Sequence, residues 1–241
     1  MHADPTPRLL FLHIPKTAGV SIRHLLLGLY PGPTTFIRGA PEHREFFLKS
    51  REERETYRVV GGHFRFGLHL LFDTPSRYLT FLRDPVERVI SHFAYVQREA
   101  QHPQHARVTA SNMSLEQWVR NGSDGGCSDN LQIRNLTTRS ETEVPFKGTT
   151  RQMLDEAKRV LSERIDFLGI TERYEGSIRF FGERLGWPQP AVIERLNVSP
   201  NRPAAADIAT STRAAILDHN ALDIELYGFA VGLFERRVSA A

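Results

Sequence analysis

Cysteine is almost missing from this chain: Cys127 stands alone in 241 residues. One thiol cannot form an internal disulfide or a multi-cysteine metal site. Lysine is scarce as well, four against 27 arginines, so a lysine inside a tight turn is not background. No run of 18 apolar residues occurs, which removes the pattern of a membrane-spanning helix. Residues 1–7 (MHADPTP) are polar and proline-rich and lack the apolar segment of a secretory leader, so a cytoplasmic location is expected. No glycine precedes position 19, so the Gly-x-x-x-x-Gly-Lys-Ser/Thr nucleotide loop cannot be built around Lys16. His102 and His105 have no neighbouring cysteine or carboxylate in a ligand pattern, and the sequence offers no acidic metal cluster; no metal is expected.

What is present is ordinary for a globular chain: 40% hydrophobic and 24% charged residues, with a net charge of +3. The mild basicity suits an anionic ligand without demanding nucleic acid. Motifs are spread along the whole length, so one domain over residues 1–241 is expected.

The most informative stretch is Arg8 to Leu29 (RLLFLHIPKTAGVSIRHLLLGL). Leu9 to Leu12 and Ile14 make a nearly unbroken apolar run, Pro15 to Gly19 a small-residue turn, and Ile22, Leu25, Leu26 and Leu29 recur at helical spacing. Strand, tight loop and helix in that order form an anion cradle, because a helix start leaves backbone N–H groups unpaired and carries partial positive charge. Lys16 adds a full charge; Thr17 and Ser21 add hydroxyl donors.

Three further short strands are expected at Tyr57–Gly62, Arg77–Leu82 and Phe167–Ile170. The charged segment 41–56 reads as a solvated helix. After Leu82, Asp84, Pro85 and Glu87 predict a boxed helix start, with Val86, Val89, Ile90 and Phe93 as the buried stripe of a helix to about Arg98. Residues 97–112 are polar and irregular, a loop or substrate-side lid. Ser114 and Gln117 form a second capping box. Helices follow at 150–163, Glu172–Leu185 and Ser211–Arg237; the first two form a later unit without chemistry. The fold class is therefore α/β: three P-loop-like layers, with a central, mostly parallel sheet flanked by helices.

His13-Ile14-Pro15-Lys16-Thr17-Ala18-Gly19-Val20-Ser21 resembles the phosphosulfate-binding loop of the sulfotransferases, in the heparan-sulfate-type (family 2) branch that reads HIPKTAGTS. Val20 departs, standing where threonine is usual. The resemblance continues at His63, after the second strand, where relatives carry the general base. Some relatives have a further histidine two positions earlier, where this chain has Gly61. Arg83 and Ser91 fit the family's 3′-phosphate site, an arginine followed eight residues later by a serine. Asn130, Gln132 and Arg134 resemble a segment near the acceptor cleft, although an exposed helix with an ion pair accounts for them equally well. Arg202, in a proline-bounded loop, is similar in place to a residue that closes over the adenosine.

The resemblance implies 3′-phosphoadenosine 5′-phosphosulfate (PAPS) as co-substrate, held by Lys16, Thr17, Ala18, Gly19, Val20, Ser21, Arg83, Ser91 and Arg202. It implies in-line sulfuryl transfer to a hydroxyl of a glycan, glycolipid or other alcohol, with His63 as base and Lys16 at the leaving oxygen. Two other classes stay open. A P-loop kinase or NTPase would need a Mg²⁺-binding acid at a strand end, Asp84 being nearest. A polyanion-binding module would have no use for His63.

Overall fold

The computed structural model describes residues 7–38, 44–122, 127–138, 143–188 and 203–240. Five strands form one all-parallel sheet: β1 (Arg8–Leu12), β2 (Thr35–Ile37), β3 (Val59–Gly62), β4 (Ser76–Leu82) and β5 (Ile165–Ile170), in the order β2-β3-β1-β4-β5. The eleven α-helices among the described residues are α1 (Gly19–Leu29), α2 (Glu45–Leu48), α3 (Arg51–Glu55), α4 (Pro85–Arg98), α5 (His105–Ala110), α6 (Leu115–Asn121), α7 (Leu131–Asn135), α8 (Arg151–Glu163), α9 (Tyr174–Leu185), α10 (Thr210–His219) and α11 (Ala221–Ser239). None of them is long and apolar enough to cross a membrane.

The central strand β1 is buried at every position, as its apolar run requires of a strand with neighbours on both sides. Leu12 lies opposite Gly62 of β3 and Thr80 of β4, so the carboxyl ends of three strands arrive together. The ladder continues one residue past β1: His13 N–H donates to the Gly62 carbonyl at 3.0 Å. Because β1 has β3 on one side and β4 on the other, the strand order reverses here, where ligands of open α/β sheets bind.

Two apolar clusters hold the layers. The larger covers the sheet with α1, α8, α9 and α11. Phe81 shows how β5 and α9 are fixed to it: its ring occupies the space over Gly169, where a Cβ would lie 2.4 Å from its edge, and meets Tyr174 and Phe181 at 5.7 and 5.5 Å. The smaller cluster joins α4 to α5, α6 and α10 around Trp118. The stripe expected on α4 (Val86, Val89, Ile90, Phe93) is buried there.

Several expectations change. The described part of the charged segment is two short helices, because Ser50 starts α3 afresh with its own capping box to Glu53. Strand β2 is too short and too close to Pro31 and Pro33 to show in the pattern. The C-terminal helix is broken at Asn220, whose side-chain amide donates to the Ser128 and Ile216 carbonyls. The box at α4 is only half made: Asp84 accepts from Glu87 N–H, but the Asp84 N–H goes to Glu172. The segment after α4 is not an irregular lid throughout, since α5 packs Val108 inside and Gln104 accepts from the Trp118 indole.

Removing the Phe81 ring would leave a cavity between β5 and α9. Phe81→Ala is expected to cost about 3–5 kcal/mol, measured as a lowered urea midpoint with unchanged slope; a loss under about 1 kcal/mol would contradict this packing.

Candidate active site

The loop between β1 and α1 is shaped by two left-handed residues that are not glycine, Lys16 (φ 70°) and Ala18 (φ 67°). Such conformations cost about 1–3 kcal/mol each and persist where surrounding contacts enforce them. Here the Thr17 hydroxyl donates to the Ile14 carbonyl at 2.8 Å, tying the turn to itself. That hydroxyl is therefore spent inside the loop, and only its backbone is left to serve an anion. Helix α1 begins at Gly19 with no side-chain cap and no acidic residue in its first turn. Asp84, Ser114 and Thr150, by contrast, cap their helices. An uncapped, acid-free helix start is the form that accepts an anion. Ser21 is buried on this helix, and Val20 faces solvent at 45% exposure.

Gly19 is required by its neighbour His13. A Cβ at position 19 would sit 1.6 Å from His13 Nε2, inside the imidazole. The His13 ring thus lies directly on the start of α1, stacked on Phe11 (5.4 Å) and 4.5 Å from the His63 ring. The two histidines follow β1 and β3, and the extended ladder sets them side by side.

Arg83 follows β4. Its Nη1 donates to the Lys16 carbonyl at 3.2 Å, joining the two anion motifs directly. Its guanidinium also faces Glu87 at 3.4 Å and Glu172 at 3.7 Å. Glu172, from the later unit expected to carry no chemistry, accepts in addition from the Tyr227 hydroxyl. Ser91 is buried two turns into α4. One turn further, the Tyr95 ring lies 4.2 Å beneath Lys16 Nζ, a cation–π contact.

Asn130, Gln132 and Arg134 are not on an exposed helix; all three are buried and bonded to the protein's own chain. The Gln132 amide holds both backbone groups of Arg83, accepting from its N–H and donating to its carbonyl, each at 2.9 Å. Arg134 pairs with Asp129 and donates to the Val144 and Pro145 carbonyls. Asn130 donates to Asp129 and to the His219 carbonyl, and accepts from Asp223 N–H. Hydrogen-bond capacity inside a protein is filled by its own chain, and here that need takes these side chains. Arg202 lies outside the described residues.

His92 was not expected near this site; His102 belongs to the segment read as a loop or substrate-side lid. The His92 ring lies 5.7 Å from His102 and 5.6 Å from Trp118, with Tyr95 at 6.5 Å. A signal existed: His92 directly follows Ser91, so helical geometry carries it along the same element. Burial, followed by the charges of Arg88 and Lys16, pushes the His92 pKa well below its ordinary 6.5. Burial, then His63 and Lys16, does the same to His13. His105 is turned away and donates to the Val96 carbonyl.

This is an α/β protein with a lysine-bearing loop and an open helix start after the central strand, an arginine bonded to that loop after the strand on one side and an imidazole after the strand on the other, the layout of an anion-binding site at the switch point of a parallel sheet. The model of the sulfotransferase family matches residues 1–230, and the chain belongs to that family. It is similar to heparan-sulfate 6-O-sulfotransferase 1-B of Danio rerio, 25% identical over 95% of this chain and 66% of the relative. The corresponding figures for heparan-sulfate 6-O-sulfotransferase 2 of Gallus gallus are 26%, 95% and 67%. Heparan-sulfate 6-O-sulfotransferase 2 of Danio rerio is 30% identical over 70% of this chain and 41% of its own length. The chain thus spans about two thirds or less of the length of these relatives.

His13 and His92 resist protonation when folded, whereas in the unfolded chain they take protons below about pH 6.5. Their contribution to stability is therefore intact above that pH and declines as pH falls through it. The melting temperature is expected to drop from pH 7.5 to 5.5, and to drop less in His92→Phe. An equal drop in both proteins, measured by calorimetry, would remove His92 from this account.

Proposed function

We propose that this chain transfers a sulfuryl group from PAPS to a hydroxyl of a carbohydrate acceptor. The observation that carries the reading is the meeting of His63 with the Lys16 loop: their strands are adjacent, and His63 and His13 lie ring to ring at 4.5 Å. The residues present fit such a donor, because α1 starts without a cap or an acid and Arg83 stands beside the loop. The names of the relatives, all heparan-sulfate sulfotransferases, support a carbohydrate acceptor.

Bound PAPS supplies an activated sulfuryl group joined to its leaving phosphate through a bridging oxygen. His63 takes the proton of the attacking hydroxyl as general base. Lys16 donates to the bridging oxygen and offsets the charge that grows there. The backbone N–H groups of Thr17, Ala18, Gly19, Val20 and Ser21 hold the phosphosulfate oxygens at the helix start. Val20 keeps its N–H in this role while lacking the hydroxyl usual at that place, so a hydroxyl contact is lost and a backbone contact is not. Arg83 holds the 3′-phosphate with Ser91, and its forked guanidinium suits that task. Gln132 fixes the Arg83 backbone, which makes it a positioning residue. Arg202 is assigned to the adenosine end of the same donor. Asp84 is committed to capping α4, which leaves the kinase reading without its nearest metal-binding acid.

The test is transfer of radiolabelled sulfate from PAPS to a panel of sugars. His63→Ala is expected to lower kcat by about 10²–10⁴-fold while affinity for adenosine 3′,5′-bisphosphate is unchanged. Lys16→Ala is expected to lower both. Full transfer by His63→Ala would remove it as base, and tight binding of ATP with no affinity for the bisphosphate would overturn the reading as a whole.

A further inference from the structure

Beside His63 lies a cavity of about 450 Å³. Its size is that of a small-molecule site. Among the described residues the lining around His63 is mostly apolar: Phe47, Phe64, Phe66, Leu70 and Leu71 supply most of it, and Arg65 and Thr138 are its polar side chains besides the imidazole. The apolar side chains do not all belong to the core. Phe47 is 54% exposed and Leu70 is 72% exposed, and Leu48, next to Phe47, is 88% exposed.

Local structure puts them there. Helix α2 is one turn long and turns Phe46 inward, fully buried, leaving Phe47 and Leu48 outward. Gly67, at φ 112°, turns the chain into a single 3₁₀ turn over Leu68–Leu71; that turn buries Leu68 and projects Leu70. The floor is braced: Phe64 packs on Phe46 and Phe47 at 5.7 and 5.8 Å, and Phe66 N–H donates to the Asn135 carbonyl. Apolar groups gathered on an exposed surface mark a binding site, whereas scattered ones do not.

We infer that the acceptor is amphiphilic: a sugar whose sulfated hydroxyl reaches His63 while an attached alkyl or aryl group fills this cavity. The inference rests on the sulfotransferase reading and specifies its acceptor class. A wholly polar or anionic glycan would meet, among the described side chains of the lining, Arg65 and Thr138 as polar partners besides His63, and would leave Phe47 and Leu70 in water. An alkyl aglycone covers both, and each methylene it removes from water strengthens binding about threefold to fourfold.

The experiment compares glucose with methyl, butyl and octyl β-glucosides, all below micelle formation, at saturating PAPS. The expected kcat/KM rises steeply from methyl to octyl, mainly through KM. In Leu70→Asp the gain is expected to shrink at least tenfold, with affinity for adenosine 3′,5′-bisphosphate unchanged. Phe47→Ser, at a second exposed position, guards against a folding defect. Binding is read independently from the His63 ring-proton resonances during titration with octyl glucoside, which are expected to shift. A flat profile with chain length would make these rings a platform for sugar faces and overturn the inference. So would a gradient that survives both substitutions, or the absence of both turnover and resonance shift. Failure to bind the bisphosphate would instead overturn the sulfotransferase reading, so the two failures are told apart.

Discussion

The site depends on the bond between the Arg83 guanidinium and the Lys16 carbonyl. Lys16 is left-handed without being glycine, so something outside the loop must hold it, and this contact is one such restraint. Arg83 is held in turn by the Gln132 amide, which binds its backbone as a further strand would. Gln132 belongs to α7, whose first N–H groups donate to the buried Asp223 carboxylate of α11. A line of hydrogen bonds therefore runs from the C-terminal helix to the loop after the first strand. Burial pushes the Asp223 carboxyl above its ordinary pKa, a cost tolerated because its oxygens satisfy two helix-start donors that burial would otherwise strand.

Charge in the site is arranged so that most of it is already balanced. Glu87 and Glu172 flank Arg83, and Lys16 rests on the Tyr95 ring. The neutral imidazoles of His13 and His92 fill the space between without adding positive charge. On the proposed reading, affinity for the donor rests on oriented N–H groups and near contacts more than on net charge. That matches a chain whose formal charge is only +3.

The parts legible in the sequence were those written in local chemistry. An apolar run changing to helical period marks β1 and α1, and Asp84-Pro85 marks the start of α4. What was not legible depends on residues far apart in the chain. Nothing near Gln132 indicates that its amide closes on Arg83, 49 positions earlier. The same is true of Glu172, 88 positions from the N–H it accepts. Asn130 and Arg134 were placed near an acceptor by resemblance, with an exposed helix as the equal alternative; tertiary packing buries them. The cavity beside His63 was hidden for a similar reason, since Phe47 and Leu70 come from segments that meet only when the chain is folded.

The contact between His13 and Gly19 binds two letters of the motif into one. Six residues apart, they compete for the same volume: a ring at one position requires bare backbone at the other. Neither can be exchanged alone for a bulkier neighbour, so the pair behaves as a lock on variation within this loop. A chain that gains a side chain at position 19 must lose or displace the imidazole at 13. With it would go the ring that lies against His63.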